Sequence, residues 1–534
     1  MTLGAMQDFP LRIMRILDHA EREHGGREIV SARADGSVIR TDWIRIAHDA
    51  RRMARALERA GVRPGDRVGT LAMNHDRHLA SWFGIVGVGG VIHTLNPRLF
   101  EDQLEYIVNH GEDRVILYDA AFAPLIERMK PRWTSIEHYV CFDSEFDDWL
   151  AAETGDYRWH EGDERDPCSL CYTSGTTGNP KGVLYEHRST VLHAMSVIGP
   201  DIFDLSARSV MLPVVPMFHA NSWCIPYAAA MVGLKFVICA DNKPEHICRL
   251  FNEEGVTHSA GVPTVWLNVI DHVESTGAEL GKLRTIIVGG SSAPPATIRW
   301  FRERGIRVNH LWGMTEMSPV GTVGAPPANW DKLSDEEQIA YMSRPGRSMF
   351  GVELRVVDDA ANVLPRDGMS SGRLQTRGPA VVRRYFKQDQ DCVDEDNWFD
   401  TGDIAVIHPD NSLRLTDRAK DVIKSGGEWI SSIEIENTAV GCPGVAEAAA
   451  IGIPHPKWDE RPLLLVVRDS GSTVCEAEIR TYLAGQMAKW WMPDAIEFVA
   501  ELPHTASGKL SKKDLRDLYR DYRFANAETM VGRD

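Results

Sequence analysis

Residues 168–172, Cys-Ser-Leu-Cys-Tyr, read as a buried strand and run directly into Thr173-Ser-Gly-Thr-Thr-Gly-Asn-Pro-Lys-Gly182. Glycines at 175 and 178 let backbone N–H groups approach an anion closely, and the hydroxyls of Thr173, Ser174, Thr176 and Thr177 can donate to phosphate oxygens. Lys181 adds a point charge. By composition this is a phosphate-cradling loop. Its spacing is not GxxxxGK[ST], so an ordinary P-loop fold is not implied, and composition alone leaves a plain Gly/Ser/Thr surface loop open.

Outward from this loop, apolar runs at 67–73 (RVGTLAM), 114–118 (RVILY) and 285–288 (TIIV) alternate with helix-length segments. That alternation predicts α/β layers with buried, mostly parallel strands. Leu11, Met14 and Leu17 predict a first helix that stops at Gly25-Gly26, and Asp35-Gly36 predicts a hairpin turn. Thr41 is the expected cap of the next helix, which runs through Trp43, Ile44, Ala47 and Leu57 to Gly61. The uncharged stretch 79–96 predicts a buried helix followed by a strand.

After about residue 345 the texture changes. Short strands at 352–357, 372–376 and 412–415, separated by Gly, Asp and Asn turns, suggest a small sheet or barrel. Beyond Arg418, helical segments at 433–440 and 476–487 flank strands at 446–453 and 462–467. The basic tail, 509–523, has helical spacing and reads as a solvated face at every residue except Lys509.

With 534 residues, 43% of them hydrophobic and 25% charged, the chain can bury a large core. Its net charge of −17 argues against a generally basic surface for nucleic acid or anionic membrane. Nine scattered cysteines suit a reducing compartment, and Cys168 and Cys171 read as small apolar strand residues rather than a metal or redox pair. Charges interrupt every apolar run of the N-terminus, so neither a signal peptide nor stable membrane insertion is expected and a cytoplasmic location is.

The string at 173–182 resembles the signature of the adenylate-forming superfamily: acyl- and aryl-CoA synthetases, peptide-synthetase adenylation domains and firefly-type luciferases. LNPRL (95–99), PMFHANSW (216–223), GGSSAPP (289–295), WGMTEMSP (312–319), WFDTGD (398–403), DRAKDVIKSGGEWIS (417–431) and PHTASGKLSKKDLR (503–516) stand in the superfamily's order. The resemblance therefore covers essentially the whole chain. It implies an α/β fold with a large N-terminal body over 1–417, which has layered sheets and a small β-barrel-like part at about 345–417. A hinge at 418–420 and a small, mobile α+β C-terminal domain over 421–534 complete the expected architecture.

The reaction implied is formation of an acyl-CoA, AMP and pyrophosphate from a carboxylic acid, ATP and CoA through an acyl-adenylate, with Mg2+ as cofactor. Residue by residue, the resemblance gives Lys509 to adenylation and Lys424 to thiolation, with Lys420 as the hinge. Glu316 is the implied magnesium ligand and Thr315 an α-phosphate donor. Thr173, Ser174, Gly175, Thr176, Thr177, Gly178 and Lys181 would hold phosphates. Gly290, Ser291, Ser292, Ala293 and Pro294 would line the adenine, on which Trp312 stacks beside Gly313. Asp403 and Arg418 resemble the ribose pair. His219, Gly426, Gly427 and Trp429 fall on the CoA channel, and Trp223, Trp266, Met314 and Pro319 on the acyl pocket. The pocket's tryptophans and the lack of a sequence-marked cation favour a short or medium apolar chain.

Arg373, Asp417 and His504 depart from the common pattern, which more often has Glu, Gly and Arg there. An acidic insertion at 330–342 (WDKLSDEEQIAYM) resembles a bacterial branch holding medium-chain fatty-acyl-CoA and 3-methylmercaptopropionate–CoA ligases. Rivals are an aryl-CoA ligase, a carrier-loading adenylation enzyme, a luciferase-like oxygenase and an inactive binding homologue. Many relatives are dimers, so a homodimer is compatible with this sequence.

Overall fold

The computed structural model describes residues 4–173, 179–426, 428–504 and 510–524 of the chain. They divide into two compact units, Met1–Glu353 with Arg377–Phe399 and Leu354–Thr376 with Asp400–Asp534.

In the first unit the apolar runs become two sheets. One has six strands in the order His138–Cys141, Asp113–Tyr118, Arg67–Leu71, Val91–Thr94, Pro167–Thr173 and Lys181–Glu186. All neighbours are parallel except the last pair. The other has nine strands, with a parallel centre around His258–Gly261 and Thr285–Val288 and antiparallel strands at both edges. Strands this apolar need cover on both faces. Helices Ile13–His24, Trp43–Arg59, Asp76–Gly87, His187–Val197 and Ile225–Val232 pack on one another. Trp43 and Trp82 are wholly buried there, Trp82 stacking on Tyr227 at 5.8 Å. Each such burial is worth about 1.5–3 kcal/mol.

The helix cap expected at Thr41 lies one residue later. Thr41 is still paired with Ile29 in the hairpin, and Asp42 accepts the N–H of Arg45 at 2.9 Å. A carboxylate there meets both the unpaired donors and the positive end of the helix. The acidic insertion forms the helix Asp335–Met342, with Ser334 as its cap, tied to its neighbour by Arg299–Glu336 and Arg302–Asp335 ion pairs.

The second unit holds a four-stranded sheet, Glu353–Val357, Gly372–Arg377, Phe399–Ile407 and Leu413–Arg418, in that order. It also holds a five-stranded sheet centred on Val445–His455 and Asp459–Arg468. Here the two-residue period is explicit. Ala448, Ala450, Leu464 and Val466 face Ile435, Ala439, Ile479 and Leu483 of the helices Ser432–Val440 and Glu476–Ala484. Ala449, Ile451, Leu463 and Leu465 face Leu515 and Phe524 on the other side. The second helix stops at Ala484, before Gly485, three residues short of the expected end.

The basic tail is not a solvated face throughout. Lys512 is 9% exposed, its ammonium 2.8 Å from Glu436, and Arg516 pairs with Asp421 at 2.5 Å. Sequence periodicity missed this because the carboxylates paired with these cations, Glu436 and Asp421, lie 76 and 95 residues upstream.

Candidate active site

The glycine-threonine loop joins two antiparallel strands, with Thr173 directly opposite Lys181 and Tyr172 opposite Gly182. A Walker loop runs from a strand into a helix, so the spacing had correctly set that fold aside. Ser174, Gly175, Thr176, Thr177 and Gly178 lie outside the described residues, as do Lys509 and Gly427.

Next to the loop's end, the exposed Lys181 places its Nζ 4.9 Å from the ring centroid of Tyr385. The Tyr385 hydroxyl donates to Glu316 Oε1 at 2.9 Å. One tyrosine thus links the cation at the loop to the expected metal ligand. Burial, with the charge of Glu316 added, pushes the Tyr385 hydroxyl well above its ordinary value, so it remains a donor. The segment carrying it is pinned twice through backbone, by Val382 N–H to Glu316 O and Phe386 N–H to Gly182 O, both at 2.8 Å. Sequence reading missed Tyr385: nothing in RRYF at 383–386 shows that it returns to residue 316.

Residues 313–320 are shaped by backbone. A Cβ at Gly313 would sit 1.9 Å from the Pro319 carbonyl oxygen, so only glycine fits. Tyr185 donates to the Thr315 carbonyl at 2.6 Å, and His193 Nε2 accepts the N–H of Val320 at 3.3 Å. Burial holds the His193 pKa down to about 3, keeping it a neutral acceptor. Glu316 is 6% exposed. Trp312 is buried at a register break in its strand pair, and its six-membered ring covers Gly321.

Gly290 has φ of +91° and opens the loop 290–294, in which Ser291 is exposed and Ala293 buried. His310 bonds the Ser343 carbonyl at 2.9 Å and the Ser291 backbone, anchoring this loop from beneath. A Cβ at Gly289 would fall 2.4 Å from Leu311 Cδ1 and 3.1 Å from Trp223 Cη2. Trp223 therefore lies against the strand end that precedes the 290–294 loop. Trp266 is fully buried, donating to the Gly261 carbonyl at 3.2 Å and edge-on to Phe301. Met314 is half-buried and its N–H bonds the carbonyl of buried Pro319 at 2.9 Å.

His219 is followed by five consecutive non-glycine residues, Ala220 to Cys224, all with positive φ between 43° and 67°. Left-handed backbone costs roughly 1–2 kcal/mol per residue, so the turn must be held from outside. Asn221 does much of this: it is 4% exposed, its Nδ2 donates to Ser169 Oγ at 3.0 Å, and Cys171 Sγ lies 3.4 Å from its Oδ1. The turn is thereby fastened to the strand Pro167–Thr173. Ser222 Oγ donates to the Val215 carbonyl at 3.0 Å, and Asn74 brackets Val215 and Met217. Cys168 and Cys171 are buried thiols pushed up to about 12 and 11 by burial, in keeping with a packing role.

In the second unit Asp403 and Arg418 are cross-strand partners, with Nε and Oδ1 2.8 Å apart. Asp403 is 3% exposed, whereas the arginine side chain is 43% exposed. Lys424 is exposed and sits opposite Trp429 in a short strand pair. Gly426 has φ of +60°, and its missing Cβ would meet Trp458 and Trp490. Lys420 is exposed, two residues past Arg418. Of the three departures from the common pattern, Arg373 pairs with Asp400 at 2.7 Å and His504 with Glu447 at 3.4 Å. Asp417 is 1% exposed and bonds Arg418 N and Ser432.

Among the described residues no group of three or more His, Cys, Asp or Glu side chains could hold a metal, and no helix is long and apolar enough to cross a membrane. The profile of the AMP-binding enzyme family matches residues 17–386, and that of the AMP-binding enzyme C-terminal domain matches residues 434–509. The chain is 47% identical over 535 residues to the 3-methylmercaptopropionyl-CoA ligase of Ruegeria lacuscaerulensis, covering 97% of this chain and 99% of that protein. It is 43% identical over 534 residues to the medium-chain-fatty-acid–CoA ligase of Ectopseudomonas oleovorans, covering 97% and 98%. Among solved structures, ATP-bound MatB from Rhodopseudomonas palustris matches with a TM-score of 0.84 at 26% identity, over 96% of this chain and 99% of that one. The ordered motifs, the two sheets of the body and these likenesses converge: the chain belongs to the AMP-binding enzyme family and is an acid–CoA ligase of the adenylate-forming superfamily.

Proposed function

We propose that this ligase, with ATP and CoA as cosubstrates, activates a short or medium-length apolar acid, 3-methylmercaptopropionate or a medium-chain fatty acid. The observation that carries the reading is Trp223, buried in the left-handed turn against Gly289; as a wall of the acyl pocket, its bulky indole would limit chain length. The names of the two relatives support the same size class.

In the first half-reaction a carboxylate oxygen of the acid attacks the α-phosphorus of ATP, and the bond to pyrophosphate breaks. Two anions must meet, so donors and cations around the phosphates lower the barrier. Lys181, Thr173 and Thr315 serve as those groups, with Lys509 bridging the reacting anions. In the second half-reaction the CoA sulfur attacks the acyl carbon, AMP leaves, and the thiol proton passes to solvent. Lys424, with Gly426, Gly427 and Trp429 beside it, serves thiolation past His219, and Lys420 is the pivot between the two steps. Asp403 and Arg418 bind the ribose hydroxyls.

A magnesium ion fits the residues present. A hard cation that keeps water and phosphate oxygens needs only one or two protein carboxylates, and Glu316 supplies one, held by the Tyr385 hydroxyl at its Oε1. When bound there, the ion neutralises phosphate charge. Tyr385 holds Glu316 through its Oε1, and Lys181 beside the same ring would remain available to the phosphate tail.

The test is a panel of acids, from acetate through butyrate, octanoate and palmitate, with 3-methylmercaptopropionate and cinnamate, scored for acyl-CoA and AMP. The reading expects the highest kcat/KM between butyrate and octanoate size, 3-methylmercaptopropionate included. A maximum at palmitate or cinnamate overturns the size assignment, and AMP formed with no acid in the panel would leave the substrate class wrong.

A further inference from the structure

The helix Lys512–Leu518 grips the chain on both sides of Arg418 to Lys420. Lys512 Nζ lies 2.8 Å from Glu436 Oε1 and donates to Ser432 Oγ. Ser432 in turn donates its hydroxyl to Asp417 Oδ2 at 2.6 Å, and its backbone N–H bonds the same oxygen at 2.6 Å. The other oxygen, Asp417 Oδ1, accepts the N–H of Arg418 at 2.7 Å. One helical turn after Lys512, Arg516 pairs with Asp421 Oδ1 at 2.5 Å. Residues four apart share a helix face, so one face holds both Asp417 and Asp421 and leaves Arg418 between two fixed points.

This cluster is nearly sealed: Asp417 is 1%, Ser432 0% and Lys512 9% exposed. Glu436 also accepts the N–H of Ala450 at 2.7 Å. Two carboxylates and one ammonium share this buried space, and removing the ammonium would leave both carboxylates uncompensated. Burial pushes the Asp417 carboxyl up, and Lys512 opposes that. Burial also works against the Lys512 ammonium, but Glu436 and Asp417 outweigh it and raise its pKa. Among the described residues the Arg418 side chain, 43% exposed, has Asp403 as its ion-pair partner at 2.8 Å. Its direction therefore depends on where its backbone is held.

We propose that Lys512 is a positioning residue for Arg418, acting through Ser432 and Asp417, with Arg516 on Asp421 as the second grip of the same helix. The inference rests on the reading of Arg418 as a ribose donor. It assigns to Asp417, a departure from the common glycine, the task of converting a buried lysine into a backbone anchor. A small displacement of a positioned donor can cost up to about a hundred-fold, and here the loss falls on the nucleotide.

The test compares full-length Ser432→Ala, Lys512→Met, Lys512→Arg and Arg418→Ala enzymes, reading KM for ATP, acid and CoA, kcat, and melting temperature. Ser432→Ala breaks the relay while leaving the Lys512–Glu436 pair in place, so it stays informative where Lys512→Met fails to fold. The expected result is a KM for ATP raised about ten-fold or more in Ser432→Ala and Lys512→Met, with KM for acid and CoA within about two-fold. Lys512→Arg should recover most of it. On an Arg418→Ala background Ser432→Ala should add less than about two-fold, because both act through one group. A folded Ser432→Ala enzyme with wild-type KM for ATP overturns the inference, as does a parallel rise of all three KM values. Should Arg418→Ala itself leave KM for ATP unchanged, the ribose reading fails and takes the inference with it. An effect in Arg418→Ala without one in Ser432→Ala defeats the inference alone.

Discussion

The two units place their functional groups by opposite means. In the body, Glu316, Thr315 and the 313–320 turn are set by neutral donors and close backbone: Tyr385 and Tyr185 hydroxyls, the neutral His193, and glycines at 289 and 313 where no side chain fits. In the C-terminal unit, Arg418 lies between two charged anchors, buried Asp417, tied through Ser432 to buried Lys512, and half-buried Asp421, paired with Arg516. A neutral hydrogen bond contributes about 0.5–1.5 kcal/mol net, and losing one partner of a buried ion pair costs about 3–5 kcal/mol. The body therefore gains its precision from many weak restraints, and the C-terminal unit from a few strong ones.

The largest effect should come from separating the two lysines. Lys509→Ala is expected to lower adenylate formation about a thousand-fold, the scale of a lost transition-state charge partner, while thiolation of a supplied acyl-adenylate stays within a few-fold. Lys424→Ala should give the reverse. Rapid-quench measurement of each half-reaction checks both, and equal loss of the two steps in either variant would remove the division between them.

Next is Tyr385→Phe. Removing a donor to a charged acceptor is worth about 1.5–3 kcal/mol, or roughly ten- to a hundred-fold in adenylation, with a steeper dependence on magnesium concentration. Unchanged magnesium dependence would show that Glu316 does not need its tyrosine. Asn221→Ala should cost about 1–3 kcal/mol of stability, since buried Ser169 loses its partner and the left-handed turn its fastening. Denaturant melts measure this, and a wild-type midpoint would mean that the turn is held by other contacts.

The smallest effect is in pH, where the units should diverge in sign. His78, His187 and His193 are buried and pushed down to about 3 from an ordinary 6.5. Between those values the unfolded chain binds protons that the folded body refuses, so stability is lost as pH falls below 6.5. Asp417 and Glu436 are raised by burial. Just above their ordinary carboxylate values the folded state takes up protons first, so the same acidification favours folding there. His193→Gln should flatten part of the acid slope of the melting temperature, and no change in slope would count against a neutral His193.

Much of this was legible beforehand because it is local. The hairpin at Asp35-Gly36, the helix and strand within 79–96, and the buried strand that runs to Thr173 each follow from a few adjacent residues. The Asp403–Arg418 pair was legible through the resemblance and is a direct cross-strand pair. Tyr385, Asn221 and Lys512 were not, because their partners lie 69, 52 and 80 residues away. Periodicity even misled at Lys512, where a charged residue on a helix reads as solvated unless its buried counter-ions are known. The left-handed turn was hidden for a related reason: Ala-Asn-Ser-Trp-Cys carries no glycine to announce positive φ, and only the surrounding bonds hold it there.

The two half-reactions require that this chain join acid to AMP before CoA takes part. Isotope exchange between labelled pyrophosphate and ATP, run with magnesium and 3-methylmercaptopropionate or octanoate but no CoA, tests it most directly. Exchange that requires the acid and proceeds without CoA is the predicted result; exchange that is absent until CoA is added would contradict it.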